Sequence, residues 1–329
     1  FLGMVLMFLF VKKKEDVAVY AAITVFATYG SYLLNFIRLR KFVFFKRLHN
    51  YNFKRHIRPM LTFFAISIAV SISTNLDTAM LGFMRTDYDV GIYNTAVKIK
   101  TILVTLVASL GTVLLPRLSY YLAHNNIDRF NETIRKSSGM VFFITIPIVT
   151  FFELFASESI LFLAGNGYMD AIIPMRLLLF NVILSALANI TGMQILIPSN
   201  RERIYLFGVI AGALLDFALN IVLIPYIGVM GAAIATVIAE LVGLTIQVIY
   251  LRKYLIKSVD LKNIVQIMFC AILAIGLAFW TKRLNMNIVK LVVGACVYFG
   301  FYSISMVVVR NKIAIDIYKQ VIQKISHSV

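Results

Sequence analysis

An all-α, polytopic membrane bundle is the fold class this sequence predicts, on three observations. Of 329 residues, 60% are hydrophobic and only 14% charged, with a mean hydropathy of +0.87. A water-soluble domain of that size needs far more polar surface. The apolar residues fall in runs of about 20, the length a helix needs to cross a ~30 Å hydrocarbon core. The basic residues alternate with those runs. Of the 32 Lys and Arg, 22 lie in segments 38–58, 117–136, 201–203, 252–262 and 310–324, and six in the intervening segments 12–14, 85 and 282–283. By the positive-inside rule the first set, with the C-terminal tail, belongs on the cytoplasmic side of a cell membrane. The lysines at 12–14 are the awkward member of that pattern. The net charge of +17 is therefore topology, not a nucleic-acid patch.

Taken in order, residues 1–10 are apolar but too short to span, and the absence of an initiator Met makes the sequence read as a fragment lacking its N-terminal part. Residues 17–37 make a full span. Segment 38–56 is a strongly basic linker. Further spans are expected at 59–84, 91–116, 138–156, 171–198, 204–224, 228–250, 263–280 and 288–309, ten in all with the partial first helix. The organisation is thus 1–37, the linker 38–56, a six-span unit over 57–250, and two further spans with a tail over 251–329. Pro59, Pro116, Pro198 and Pro225 are expected to mark helix ends, and Pro147, inside a span, a kink. Segment 119–136 reads either as a helix lying on the membrane surface or as a loop.

Helical spacing then shows which faces are polar. In the span over 91–116, Asn94, Lys98, Thr101, Thr105, Ser109 and Thr112 recur at three- and four-residue steps and share one face. Hydroxyl contacts between helices would explain such a stripe. A lysine in its midst favours a water-lined cavity. Lys100 lies off the stripe and is set aside. On the preceding span Asp77 lies near the outer end, either as an interfacial acid or as a cavity residue close to Lys98. Asn181, Ser185 and Asn189 align on the span over 171–198, while Arg176 points away from them and is near enough to the outer end to snorkel.

The hairpin over 204–250 carries two acids at mid-span, Asp216 and Glu240. Each costs about 2.5–3.5 kcal/mol on insertion scales and so should face protein or water, not lipid. Gly208, Gly212, Asp216 and Asn220 follow at four-residue steps, and Thr236, Glu240, Gly243 and Gln247 form the stripe of the return helix. Asp216 and Asn220 are either a structural hydrogen-bonded pair or, with Glu240, candidates to hold a coupling ion.

Little points to catalysis. Cys270 and Cys296 sit in apolar runs without metal or disulfide spacing. The histidines form no ligand pattern, and no nucleotide-binding, zinc-protease or nucleophile-elbow motif occurs. No enzyme class, metal or cofactor is nominated.

Five stretches carry a resemblance: LDTAMLGF (76–83), VGIYNTAVKI (90–99), LGTVLLPRLS (110–119), QILIPSN (194–200) and LNIVLIPYIGVMGAAIATVIAE (219–240). They are similar to the Wzx-type polysaccharide flippases of the MATE-like exporter superfamily. The resemblance implies the last ten of fourteen helices, with 1–37 the end of a first lobe and 57–250 a second lobe. It also implies alternating access around a central cavity. The implied substrate is an undecaprenyl-pyrophosphate-linked oligosaccharide moved from the inner to the outer leaflet, with glycan assembly proteins as possible partners besides the bilayer. Cationic cavity residues are implicated in that family, and Lys98 is the best positional match. The substrate-binding candidates are then Lys98, Asn94, Thr101, Thr105, Asn181, Asn189, Asp77 and Arg176. A cation-coupled drug exporter, with Asp77, Asp216 or Glu240 carrying a proton or sodium, is the rival within the superfamily. A membrane glycan polymerase or ligase is disfavoured by the short non-cytoplasmic loops, and a scaffold would not need a charged stripe.

Overall fold

The computed structural model describes residues 2–13, 16–39, 53–258, 260–284, 286–316 and 319. Most of the basic linker and the end of the tail, both read from sequence above, lie outside the described residues. Those described form helices and turns alone: α1 (Leu2–Phe10), α2 (Val17–Leu39), α3 (Phe53–Met84), α4 (Asp87–Ala123), α5 (Ile127–Leu154), α6 (Ala156–Ala164), α7 (Ile172–Ala188), α8 (Glu202–Ile227), α9 (Val229–Ser258), α10 (Leu261–Phe279) and α11 (Asn287–Val308). Among them, nine spans are long and apolar enough to cross a membrane. The tenth expected span, α1, covers only 9 residues. This is an all-α, multi-pass membrane protein.

The chain divides into two compact units, 1–56 and 57–329. In the first, the turn before α2 is tied down by Asp16, whose Oδ2 accepts from the backbone N–H groups of Lys12 and Lys13 at 3.0 and 2.9 Å. The second unit has three apolar cores. One, around Leu81, Tyr93, Ile160, Leu178 and Ile224, sits toward the end where α3 meets α4. Another, around Leu118, Ile134, Leu196 and Leu251, lies toward the end where α4 meets α5. The third packs Phe151 of α5 and Phe155, which caps it, against α10 and α11 through Ala274, Tyr298 and Met306. Between the first two lies the polar interior described below.

Helix boundaries depart from expectation at two of the prolines, whereas Pro198 lies in the turn after a helix as expected. Pro59 lies inside α3 and Pro116 inside α4, which continues to Ala123. Segment 119–136 is neither a surface helix nor a loop: α4 and α5 run through it to a short turn that begins α5 with an Asn126 cap, Oδ1 accepting from the Arg129 N–H at 3.2 Å. A proline removes one N–H and crowds one carbonyl; near a membrane boundary water can satisfy what it frees, so the helix need not end. The 157–170 connection also folds, into α6 and a 3₁₀ turn over Asn166–Ala171.

Two local features position the interior. The α8–α9 turn is made at Gly228, φ +54°, a left-handed conformation that suits glycine. There Arg85 donates through Nε to the Ile224 carbonyl at 3.0 Å, which also accepts the Gly228 N–H at 2.9 Å, and through Nη2 to the Pro225 carbonyl at 2.8 Å, capping the end of α8. At the other end, α7 passes into a π-helical stretch, Asn189–Leu196, closed by Ile197 N–H to Gly192 O at 3.0 Å. A π turn adds a residue per turn and shifts which side chains face inward.

Candidate functional site

The polar interior is organised around Asp77, which is 3% exposed. Three helices converge on its carboxylate. Tyr93 of α4 donates its hydroxyl to Oδ2 at 2.5 Å, Thr236 of α9 donates to the same oxygen at 2.7 Å, and Asn220 of α8 donates Nδ2 to Oδ1 at 2.6 Å. Tyr93 and Thr236 also lie 3.0 Å apart. The Asp216 carboxyl, one turn before Asn220 and 1% exposed, lies close enough to Asp77 to feel its charge. Two carboxyls this close in a low-dielectric setting repel unless a proton or a cation lies between them. Oδ1 of Asp216 and Oδ1 of Asn220 are both buried without a partner among the described residues. Buried polar atoms left unpaired are costly, and here two of them lie beside the same carboxylate.

A cavity of about 340 Å³ opens beside this knot, lined by Thr74, Asn189, Tyr205, Asp216, Glu240 and Gln247 among others. Glu240 accepts from the Ser185 hydroxyl at 3.2 Å, and Gln247 Oε1 from Thr191 at 2.6 Å. The wall between α8 and α9 is thin because glycines face each other across it. A Cβ on Gly212 would stand 3.0 Å from the Ala239 carbonyl oxygen, and one on Gly208 3.1 Å from that of Gly243. The small-residue face read from the sequence is thus a backbone-to-backbone contact, and it brings Asp216 and Glu240 to one interior. The carboxylates acting on the Lys100 ammonium are those of Asp77, Glu240 and Asp216.

On the other side of α4, the stripe Asn94, Lys98, Thr101 and Thr105 is exposed on this unit. Asn94 accepts from Thr78 at 3.2 Å, which ties the stripe to α3. Lys98 has no hydrogen bond or ion pair among the described residues. Ser67, Ser71 and Thr74 of α3 are exposed as well.

The sequence candidates therefore separate into two groups. Asp77, Asp216 and Asn220 come together, with Glu240 and Asn181 nearby: Asn181 Nδ2 donates to the Thr236 carbonyl at 3.5 Å. Asn94, Lys98, Thr101 and Thr105 form the exposed face. Asp77 is not interfacial, and its carboxylate is held by Tyr93, Thr236 and Asn220, not by Lys98. Asn189 lies in the π-helical stretch and accepts from Gln194 at 3.4 Å. Arg176 is remote from both groups and half-exposed, 3.8 Å from Glu153. Sequence reasoning passed over Tyr93, whose ring is almost wholly buried, and set Lys100 aside for lying off its helix's stripe. The one signal available for both was spacing. Tyr93 and Lys100 are seven apart and so share a face, opposite the hydroxyl row.

Comparison with known proteins agrees with this architecture. A family model described as "Polysaccharide biosynthesis protein" matches residues 1–122. A probable low-salt glycan biosynthesis flippase of Haloferax volcanii is 22% identical over 252 residues, 75% of this chain and 53% of that protein. A putative O-antigen transporter of Escherichia coli K12 is 25% identical over 249 residues, 75% of this chain and 60% of that one. The chain spans little more than half the length of these curated relatives. Among solved structures, the lipid II flippase MurJ in an inward closed conformation superposes with a TM-score of 0.65 at 17% identity, over 90% of this chain and 66% of its own. These likenesses point the same way as the sequence motifs, and the fold is the helical bundle seen in MurJ.

Proposed function

We propose that this protein moves a lipid-linked oligosaccharide from the inner to the outer leaflet of the cytoplasmic membrane, with its C-terminus on the cytoplasmic side. The carrier is of the undecaprenyl-pyrophosphate class. The observation that carries this reading is the exposed stripe on α4: a lysine, an amide and two hydroxyls in line within a membrane span, uncovered by their own unit. Such groups are costly against lipid and suit a hydrated path for a charged, hydroxyl-rich head. The Lys98 ammonium meets the pyrophosphate, while Asn94, Thr101 and Thr105 meet sugar hydroxyls. The relatives named as a glycan flippase and an O-antigen transporter support that substrate class.

Coupling is assigned to the interior knot. A proton or a monovalent cation between Asp77 and Asp216, reached by the free oxygens of Asp216 and Asn220, would draw α3, α8 and α9 together. Its loss would let them part. This is the specific observation favouring ion coupling, and it bears on the energy source, not on the substrate.

Glycan export in a flippase-deficient strain, with membrane abundance checked for each variant, tests the reading. Lys98→Ala should stop export at normal abundance, and Lys98→Arg should retain part of it, because a mobile phosphate needs charge more than shape. Full export by Lys98→Ala would sink the proposal.

A further inference from the structure

A second polar cavity, of about 420 Å³, lies far from the knot, where α5 and α10 begin and α11 ends. That is the membrane face assigned above to the cytoplasm. Two ion pairs form part of its wall: Arg135 Nη2 with Asp260 Oδ2 at 3.1 Å and Lys136 Nζ with Glu132 Oε1 at 2.6 Å. Three further cations line it, Lys262, Arg310 and Lys312, against one further acid, Asp316. Neither a hydrogen bond nor an ion pair holds the side chains of Lys262, Arg310 or Lys312 among the described residues. The floor is rigid. Asn311 is 2% exposed, donating Nδ2 to Asn263 at 2.7 Å and to Gln266 at 2.9 Å, and accepting at Oδ1 from the Ile313 N–H at 3.0 Å.

The backbone adds an independent sign. After α11, Arg310 N–H bonds to Val307 O at 3.0 Å and Asn311 N–H to Met306 O at 3.0 Å, the paired closure of a helix that ends on a left-handed residue. That residue is ordinarily glycine. Here it is Arg310, at φ +55°, a conformation that L side chains other than Asn and Asp rarely adopt. A strained arginine lining a cavity between two other unpaired cations points to an anion.

We propose that this cavity binds the phosphate of an anionic glycerophospholipid headgroup in the cytoplasmic leaflet. The cavity stands at the water–lipid boundary, at the ends of membrane helices. Basic pockets so placed take acidic headgroups, each cation contributing about fivefold to affinity. Lys262, Arg310 and Lys312 hold the phosphodiester, and the Asn311 floor keeps Arg310 in place. The site anchors α10 and α11 to the leaflet and does not depend on the identity of the transported substrate.

Native mass spectrometry of the purified protein, from micelles doped equally with phosphatidylglycerol and phosphatidylcholine of the same acyl chains, tests this. The wild type should carry phosphatidylglycerol in excess. Arg310→Gly should lower that excess about fivefold with an unchanged or raised thermal midpoint, since glycine suits the backbone. Lys312→Gln should lower it similarly, and Arg201→Gln, a basic residue away from the cavity, should leave it unchanged. An equal loss in Arg201→Gln would mean a general surface charge and overturn the site. Inorganic phosphate that strips the excess at the concentration of the lipid itself would assign the cavity to a free anion and overturn the lipid. Export measured in the same variants separates this inference from the transport reading, because Lys98→Ala should abolish export while keeping the phosphatidylglycerol excess.

Discussion

Lys98 and Lys100 stand two residues apart on α4 and live in opposite surroundings. Lys98 is on the exposed stripe, among amides and hydroxyls and with no hydrogen bond or ion pair among the described residues. Lys100 is turned into the unit, where the acids of α3, α8 and α9 act on it. One helix thus divides the polar chemistry of the molecule in two. Its exposed face holds the groups proposed above to meet the substrate; its inner face holds groups that bond across to α3 and α9. Depth in the membrane does not separate them, since the two lysines lie within about 3 Å along the axis. Only rotation about the helix does.

Breaking the inner face should have the largest effect. Asp77→Ala removes the acceptor for Tyr93, Asn220 and Thr236 together, stranding the buried Asn220 amide, leaving Tyr93 and Thr236 only each other and the Ala232 carbonyl, and taking from Asp216 its neighbour. The loss should be on the order of 3–5 kcal/mol in denaturant unfolding of the detergent-solubilised protein, followed by helical circular dichroism. A loss below about 1 kcal/mol would mean that the knot is loose and that the contrast between the faces is overdrawn.

The lysines sharpen the contrast. Lys100→Gln takes a cation from the three acids that act on it and should destabilise by about 1–3 kcal/mol. Lys98→Gln should change stability by less than about 0.5 kcal/mol, as exposed substitutions do, while export is lost. The same pair of unfolding and export measurements decides both. If the two variants exchanged behaviours, the exposed stripe would be structural and the interior would carry the substrate.

These two faces were unequally legible in the sequence. Membrane helices announce themselves because hydrocarbon demands about 20 apolar residues in a row, and nine spans of the described chain sit close to where the hydropathy placed them. The stripe through Lys98 was legible too, since its members recur along one helix. What ties Asp77 was not. Its partners lie 16, 143 and 159 positions away, and no periodicity within a helix reports which other helix it faces. Lys100 was set aside by the same local logic: it has no hydroxyl row of its own, and the acids that make it matter belong to other helices. The π-helical stretch escaped for a related reason, because it alters the very period on which face assignments rest. Pro116 misled because a proline can sit inside a helix wherever water meets what it frees.

Asp260 provides the smallest test, and a useful one because it is an aspartate like Asp77 with well-formed partners but set in water. Arg135 donates Nη2 to its Oδ2 at 3.1 Å, and the Asn263 N–H caps α10 on its Oδ1 at 3.3 Å. The guanidinium first, and the backbone N–H second, hold its carboxyl below the ordinary 3.8. A carboxyl held low in the folded state stabilises above its unfolded value and loses that contribution as the pH falls through the folded one. Both partners are largely solvated, so screening limits the pair to less than about 1 kcal/mol. Asp260→Asn keeps a capping side chain and loses only the charge; it should cost a few tenths of a kcal/mol at pH 7 and nothing near pH 2. Asp260→Ala loses the cap as well and should cost about 1 kcal/mol more at pH 7, most of it persisting in acid. Thermal unfolding at the two pH values measures this. If Asp260→Asn matched Asp77→Ala in cost, burial would not be what separates the two aspartates, and the division of α4 into a binding face and a holding face would lose its physical basis.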